Sequence, residues 1–232
     1  MGSWIDFASG PLFAVAFLIM VLGLGRHVVL QAHALLAGKG RRLRQVSWRR
    51  VLLDTLGWAL PLRHMVRGTI FISLTSFLFH VGAVVVPLFY AGHIVLWEAF
   101  LGVDLPALGP LAADLLTLST CCCCLLLLSY RIFIRRARDL SRPSDYAILL
   151  LVFLPFASGF LAAHPRFDPL PWGVMILIHI LSAEALMIAM PFTKLSHVVL
   201  FAFDRLSLVH WQLRPGAGER VAEALFGEEA RV

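Results

Sequence analysis

Cysteine is scarce in this chain of 232 residues, and all four cysteines stand side by side at Cys121–Cys124 inside an apolar run. No second group of cysteines exists to pair with them, so a framework of disulfides between loops is excluded. The motif Cys-x-x-Cys-His is also missing, which excludes covalent attachment of a c-type haem. The opening MGSWIDFASG lacks a basic region and a small-residue cleavage site, so we expect no cleaved signal peptide.

Charged residues are also few, at 15% of the chain against 59% hydrophobic residues, and the mean hydropathy is +0.84. This balance predicts an integral membrane protein and leaves no room for a sizeable soluble domain. The formal net charge of +6 does not indicate a nucleic-acid partner. The basic residues stand in loops beside apolar runs, where they set the orientation of membrane spans.

The apolar runs predict an all-α integral membrane fold with five transmembrane helices in a single domain, residues 1–232. Span 2 contains Pro87 and is long for a perpendicular crossing, so we expect it to be tilted or kinked. The predicted spans lie at about 11–36, 68–101, 111–134, 146–163 and 173–203, followed by a polar tail at 204–232.

Basic residues gather in the loops after spans 1 and 3 and in the tail, whereas the opposite side carries only Arg166. The positive-inside rule therefore predicts that the N-terminus lies outside and the C-terminus in the cytoplasm, with the protein in the cell (inner) membrane. The mixed stretch VLLDTLGWALPLRHMVR, before span 2, predicts an amphipathic helix at the membrane interface. The basic residues of the first cytoplasmic loop are Lys39, Arg41, Arg42, Arg44, Arg49, Arg50, Arg63 and Arg67.

Span 5 carries two histidines, His179 and His197, which are 18 residues apart. On a continuous α-helix that spacing is about five full turns, so both imidazoles leave the same face with ~27 Å between them. This distance approaches the thickness of the hydrocarbon core. One imidazole near each leaflet is the spacing needed to hold two haems stacked across a membrane.

Span 2 supplies a second pair, His80 and His93. Because spans 2 and 5 run in opposite directions, His93 matches His179 in depth on the outer side, and His80 matches His197 on the inner side. Two bis-histidine sites follow, and such sites leave no open position on an iron. On an ideal helix the side chains of His80 and His93 point ~140° apart, so we expect a kink at Pro87 to bring them to the same face.

The remaining histidines are His27, His33, His64, His164 and His210. Their places at span ends, interfaces and loops favour contacts with neighbouring groups over ligation of a metal. The histidines within the spans have a simpler explanation as well, namely hydrogen bonds to neighbouring helices. A transporter or scaffold without haem would satisfy that explanation, although the sequence shows no internal repeat.

Several segments resemble a known family. FLFHVG at Phe77–Gly82, AGH at Ala91–His93 and PFTKLSHVV at Pro191–Val199, with SDYAILLLVFL before span 4, are similar to the gamma subunit of respiratory nitrate reductase. That family is a membrane cytochrome b, and the likeness covers spans 2 to 5. The resemblance implies that His80, His93, His179 and His197 are axial ligands of two b haems and that a quinol is oxidised near the outer haem.

The chain departs from nitrate reductase in two places. The separation of His80 and His93 is longer, and the loop after span 2 lacks the lysine that the nitrate enzyme uses near its quinol. The opening WIDFASGPLFAVAFLIMVLGLG and the basic segment before span 2 look more like the branch found in Dsr- and Hme-type membrane complexes of sulfur respiration. That resemblance implies a cytoplasmic iron–sulfur partner related to heterodisulfide reductase, together with other subunits of a complex.

A quinone site needs an apolar slot and a proton acceptor near a haem. The candidates are Tyr90, Trp97 and Glu98 near His93, with Glu184 deeper in span 5 as a second carboxyl for protons. Trp97 is equally explained as an interfacial anchor and Glu98 as a solvated residue.

Lys194 and Arg131 lie near the inner interface, where they could pair with haem propionates. For Lys194, extension of the side chain to the lipid headgroups is the alternative. Cys121–Cys124 diverge by ~100° per residue, so they cannot all face one metal and are expected to pack the span.

The sequence thus predicts a subunit with two haem b groups that transfers electrons between menaquinone or another quinone and a cytoplasmic iron–sulfur partner. The alternatives are the quinol-oxidising anchor of a nitrate-reductase-type complex, or a haem-free transporter or scaffold.

Overall fold

The computed structural model describes residues 2–39, 48–59 and 70–203, together with positions 221 and 223. Within those ranges the chain is helical apart from short connections and contains no strand. The helices are α1 (Gly2–Phe7), which continues through a π-helical turn at Ala8–Leu12, α2 (Phe13–Lys39), α3 (Trp48–Ala59), α4 (Ile70–Phe89), α5 (Ala91–Leu101), α6 (Pro110–Phe133), α7 (Arg135–Asp139), α8 (Pro143–Ala163) and α9 (Trp172–Ala189).

Among the described residues, five helical segments are long and apolar enough to cross a membrane. This confirms the prediction of an all-helical protein with five such spans. Many large apolar side chains on these segments point away from the interior, as in Leu111, Phe133 and Leu22. An apolar surface of that kind is favourable in contact with lipid tails, whereas its exposure to water costs free energy. The five segments are Gly2–Ala34, Ile70–Phe89, Pro110–Phe133, Pro143–Ala163 and Trp172–Phe192.

The second predicted span is not one helix. We expected a kink at Pro87, but α4 ends at Phe89 and α5 begins at Ala91, with Tyr90 between them in an extended conformation (φ −69°, ψ 131°). The break leaves helix carbonyls without intrahelical donors. The Phe89 carbonyl accepts a 2.8 Å hydrogen bond from the Leu108 N–H, which ties the following loop back to the break. The ideal-helix angle between His80 and His93 therefore does not apply.

The fifth predicted span is also interrupted, so the count of five turns between His179 and His197 was wrong. The α-helix ends at Ala189 and is followed by 3₁₀ turns at Met190–Phe192 and Lys194–Ser196, with the intervening Thr193 extended. A proline has no N–H to donate and crowds the carbonyl four residues earlier, so Pro191 ends the α-helix. The Thr193 hydroxyl accepts a 3.3 Å hydrogen bond from the Leu195 N–H and starts the second turn.

The predicted stretch before span 2 begins with a helix, α3, which starts three residues before that stretch and extends to Ala59. Its position at the membrane interface stays a prediction. The rest of that stretch lies outside the described residues, as does most of the polar tail.

Two compact units make up the chain. The first unit comprises Met1–Ile19 and Arg63–Ala189, and the second comprises Met20–Leu62 and Met190–Val232. In the first unit α8 packs against α6 and α9, and α6 packs against α4. Its core contains Cys124, Leu127 and Leu149.

Close packing of α4 on α6 depends on Gly82. A side chain at that position would collide with the Thr120 hydroxyl and approach the Leu116 carbonyl to 3.1 Å. Small residues at a helix crossing let two backbones come together inside a membrane.

In the second unit, α2 meets the first 3₁₀ turn. Gly23 leaves room for the ring of Pro191, since a Cβ at Gly23 would lie 2.7 Å from the proline Cγ. One turn along the same helix, His27 Nε2 makes a 2.8 Å hydrogen bond with the Pro191 carbonyl.

Candidate functional site

His93 and His179 face each other within the first unit. Their imidazole centroids are 5.9 Å apart and the ring planes differ by only 3°. His93 lies in the first turn of α5, directly after the break at Tyr90, and His179 lies in the middle of α9. The sequence placed these two histidines at the same depth, and the structure brings them together.

Each ring is oriented by a backbone carbonyl at a proline. His93 Nδ1 makes a 3.2 Å hydrogen bond with the Pro87 carbonyl, and His179 Nδ1 makes a 2.9 Å bond with the Pro155 carbonyl. A carbonyl can only accept, so Nδ1 carries the proton on both rings and the lone pair stands on Nε2. A metal-binding histidine is commonly fixed in this way, with its second nitrogen donating to a carbonyl or carboxylate.

The helix break supplies the acceptor for His93. In an unbroken helix the Pro87 carbonyl would accept from residue 91, but the chain is extended at Tyr90. The indole N–H of Trp97 donates to the same carbonyl at 3.2 Å, so both side chains satisfy the group that the break exposes. The break thereby fixes the orientation of the His93 ring.

Gly159 makes the space that the His179 ring occupies. A Cβ at position 159 would lie 2.8 Å from His179 Cε1 and 2.9 Å from Nδ1, well inside ordinary contact. Tyr90 flanks the other histidine, with its ring 5.2 Å from that of His93 and tilted 70° to it. The pair is thus bordered by a backbone surface on α8 and an aromatic edge at the helix break.

His80 and His197, the predicted inner ligands, share one feature with the outer pair. His80 Nδ1 bonds the Ser76 carbonyl at 2.6 Å, and His197 Nδ1 bonds the Lys194 carbonyl at 2.7 Å. Both rings therefore have the same tautomer as His93 and His179, with the lone pair on Nε2. Both side chains are exposed on their own units. His80 belongs to the first unit and His197 to the second, so their pairing stays a prediction.

The other described histidines are arranged differently. His27 uses Nε2 rather than Nδ1 to reach a carbonyl, as described above for Pro191. His164 engages both nitrogens, with Nδ1 2.9 Å from the Phe160 carbonyl and Nε2 3.2 Å from Asp114 Oδ2. His33 is exposed on α2. His64 and His210 lie outside the described residues.

The candidate quinone residues fall into two places. Tyr90 and Trp97 are half-buried beside His93, whereas Glu98 is exposed on α5. Trp97 also belongs to an aromatic cluster within the first unit, 6.2 Å from Phe13 and 5.9 Å from Phe17 between ring centroids. No local pattern predicts this cluster, because Trp97 is about 80 residues from Phe13 and Phe17 along the chain.

Glu184, the second carboxyl candidate, is only 3% exposed in the interior of α9. Its two carboxyl oxygens have no hydrogen-bond partner among the described residues.

Arg131 and Lys194, the candidate propionate contacts, belong to different units. Arg131 is half-buried near the end of α6, and its carbonyl accepts a 3.1 Å bond from the Tyr146 hydroxyl. Lys194 is exposed. Contacts of either residue with a propionate stay a prediction.

The four consecutive cysteines point in different directions. Cys123 and Cys124 are buried, Cys121 is half-buried and Cys122 is exposed. The Cys124 thiol donates to the Leu149 carbonyl at 3.2 Å, which joins α6 to α8. Within the described ranges, no group of three or more His, Cys, Asp or Glu side chains is arranged to hold a metal ion.

Comparison with known proteins finds a bacterial relative of similar length. The chain is 35% identical over 208 residues to a protein of Nitratidesulfovibrio vulgaris (strain Hildenborough) whose name is given as "Protein". The match covers 86% of this chain and 89% of the relative. The chain belongs to the family of that bacterial protein. No family model matches the chain. No solved structure matches it either.

Proposed function

We propose that this family member is a dihaem b-type cytochrome, the membrane subunit of a respiratory complex. It transfers electrons between a membrane quinone, such as menaquinone, and a cytoplasmic iron–sulfur partner related to heterodisulfide reductase. The observation that carries the proposal is the pair of parallel imidazoles of His93 and His179, whose centroids are 5.9 Å apart.

The spacing of this pair fits two ligands on opposite sides of one metal. Metal–imidazole nitrogen bonds are about 2.0 Å long, and with ~1.2 Å from nitrogen to ring centre the two centroids would stand ~6.4 Å apart. The observed 5.9 Å is about half an ångström shorter than that value. The carbonyls at Pro87 and Pro155 leave Nε2 of each ring as the ligating nitrogen.

His80 and His197 are the proposed ligands of the second haem. Their Nδ1 atoms are held by carbonyls as in the outer pair, which supports ligation of an iron through Nε2. The opposite directions that the sequence predicts for spans 2 and 5 support a position for both residues on the inner side of the membrane. Arg131 and Lys194 are the proposed propionate contacts.

When bound, haem iron would supply reversible one-electron chemistry between the two half-buried imidazoles. The protein's own contribution is to hold two neutral imidazoles rigidly and to leave no position open for oxygen or a substrate. Tyr90 and Trp97 lie beside His93, Glu98 is exposed on the same helix, and these three residues are the proposed contacts of the quinone. The aromatic rings offer flat apolar surfaces, and the exposed Glu98 carboxylate can take up a proton near the water interface.

The distribution of basic residues supports a proposed orientation of the protein in the membrane. Basic residues follow spans 1 and 3, including Arg135, Arg136 and Arg138 on α7. By the positive-inside rule, we propose that these segments lie in the cytoplasm and that the protein lies in the cell (inner) membrane. They form the proposed docking surface for the iron–sulfur partner, and the N-terminus then lies outside.

An absorption spectrum of the purified protein tests the proposal. We expect reduced b-type bands and two haems per chain by pyridine haemochrome analysis. Replacement of each proposed ligand by alanine should remove one haem, whereas His33→Ala and His164→Ala should retain both. A protein that holds no haem after expression with ample haem supply would refute the proposal.

A haem-free transporter is the second candidate, and the helix break at Tyr90 is the observation that favours it. Transporters commonly bind substrates at interrupted spans. That reading leaves the parallel His93–His179 rings without a role, and the sequence has no internal repeat. The same spectrum separates the two candidates. A quinol-oxidising anchor of a nitrate-reductase-type complex would give the same spectrum, and the subunits that copurify would distinguish it.

A further inference from the structure

Glu184 is a carboxyl in the interior of a membrane span that satisfies none of its hydrogen-bonding capacity within the described structure. It is 3% exposed, and both of its oxygens are buried without a partner among the residues at 2–39, 48–59 and 70–203. Buried polar side chains nearly always find a partner. This exception therefore needs a physical explanation.

The Glu184 carboxyl does not stabilise the fold. An isolated carboxylate in a low-dielectric interior is so costly that it takes up a proton or requires a compensating positive charge. The protonated form still leaves an O–H donor unpaired at a cost of ~1–3 kcal/mol. An apolar side chain of similar size would avoid both costs, so the carboxyl is explained by function rather than by packing.

The neighbourhood of Glu184 contains few charges. The elements that pack most extensively on α9 are α1, the π-helical turn and α8, and α5 brings His93 opposite His179. The titratable groups of the first three are Asp6 on α1, which is exposed, and Asp145 and Tyr146 in the first turn of α8. On its own helix the nearest titratable group is His179, five residues earlier, ~7.5 Å along the axis and ~140° around it.

We propose that Glu184 is a protonation site whose proton occupancy is linked to the redox state of the iron held by His93 and His179. This inference rests on the proposed function. A ferric haem carries one net positive charge, which offsets a carboxylate nearby in a medium of low dielectric constant. One electron, supplied by the quinol or by the iron–sulfur partner, removes that charge. The carboxylate of Glu184 then takes one proton from water and becomes a neutral carboxylic acid, so charge is conserved locally.

The bond changes in this step are simple. One O–H bond forms on Glu184 for each electron that reaches the outer iron, and the same bond breaks when the electron leaves. The site therefore stores a proton inside the span for as long as the outer haem stays reduced.

Redox titration at several pH values tests the link, with the outer haem identified by its loss in His179→Ala. In the wild-type protein we expect the midpoint potential of the outer haem to fall as the pH rises. Glu184→Gln should retain two haems and lose that dependence. Asp104→Asn, which changes an exposed loop carboxylate, is the matched control and should behave as the wild type.

Redox-induced infrared difference spectroscopy gives a readout that does not depend on activity. Reduction should produce the C=O stretch of a protonated carboxyl, which should be absent in Glu184→Gln and shifted in Glu184→Asp. Two bound haems without a carboxyl signal in the wild type, or with an unchanged signal in Glu184→Gln, would overturn this inference alone. A wild-type protein without haem would overturn the proposed function as well.

Discussion

Gly159→Ala is the sharpest perturbation of the outer histidine pair that the structure offers. The new methyl group would lie 2.8 Å from His179 Cε1, about 0.6 Å inside the 3.4 Å at which ordinary contact begins. The ring must therefore move away from α8 by a similar distance. Such a shift stretches the 2.9 Å hydrogen bond to the Pro155 carbonyl beyond the ~3.2 Å limit of a good N–H···O bond.

The expected loss of haem affinity in Gly159→Ala follows from the packing around His179. Forcing one extra methyl group into a filled interior costs ~1–3 kcal/mol. If the haem-bound protein bears that cost, the outer haem binds about 5- to 140-fold more weakly, since each 1.4 kcal/mol is about a tenfold change. The inner site, held by other residues, should keep its haem. We therefore expect Gly159→Ala to contain between one and two haems per chain and to lose absorbance at the bands of the outer haem.

The matched control is Gly25→Ala. Gly25 lies in α2 with nothing within 4 Å of the position that a Cβ would take. A helical glycine in open space gains ~0.5–1 kcal/mol from the change, because alanine restricts the unfolded chain. Gly25→Ala should therefore keep both haems and melt at the same temperature or slightly higher. Two haems with an unaltered spectrum in Gly159→Ala, or equal losses in both variants, would refute the assignment of His179 as a ligand seated on Gly159.

Three further predictions concern the packing around the site. Gly82→Ala should lower the thermal stability in detergent by ~1–3 kcal/mol through collision with Thr120, and Thr120→Ala should restore part of the loss in the double variant. His27→Phe removes the bond to the Pro191 carbonyl, so we expect a loss of ~1 kcal/mol and weaker binding of the inner haem alone, measured by haem content at each band. Trp97→Phe keeps the aromatic ring but removes the donor to the carbonyl at the helix break, so thermal melting should show a loss of only ~0.5–1.5 kcal/mol with both haems present. Loss of both haems in Trp97→Phe, or full stability in Gly82→Ala, would contradict these assignments.

Hydropathy was sufficient to predict the helical class and the five long apolar segments. In lipid every backbone group must be satisfied within its own segment, so a run of about 20 apolar residues can adopt only a helix. The equal depth assigned to His93 and His179 followed from the alternating direction of successive spans. The location of the candidate site was thus predictable from local properties of the chain.

The helix ends near the histidines were not predictable in the same way. Pro87 and Pro191 indicate weak points, but proline alone does not distinguish a kink from a break. The outcome depends on which groups satisfy the released carbonyls, and those groups come from elsewhere, such as Leu108 for Phe89 and Trp97 for Pro87. Span 5 is interrupted after Ala189, so the angle of a continuous helix does not relate His179 to His197.

Sequence alone determined which residue types are available and on which span each lies, because both depend on composition and order along the chain. Tertiary structure decided which of them meet. The carbonyl of Pro155 and the space at Gly159 lie one turn apart on α8, whereas the ring of His179 belongs to α9. No periodic pattern in the chain shows that these two helices meet there. Tertiary structure also decided the burial of Glu184. The sequence shows one carboxyl in an apolar helix, but only the packing of neighbouring helices determines whether that carboxyl is buried.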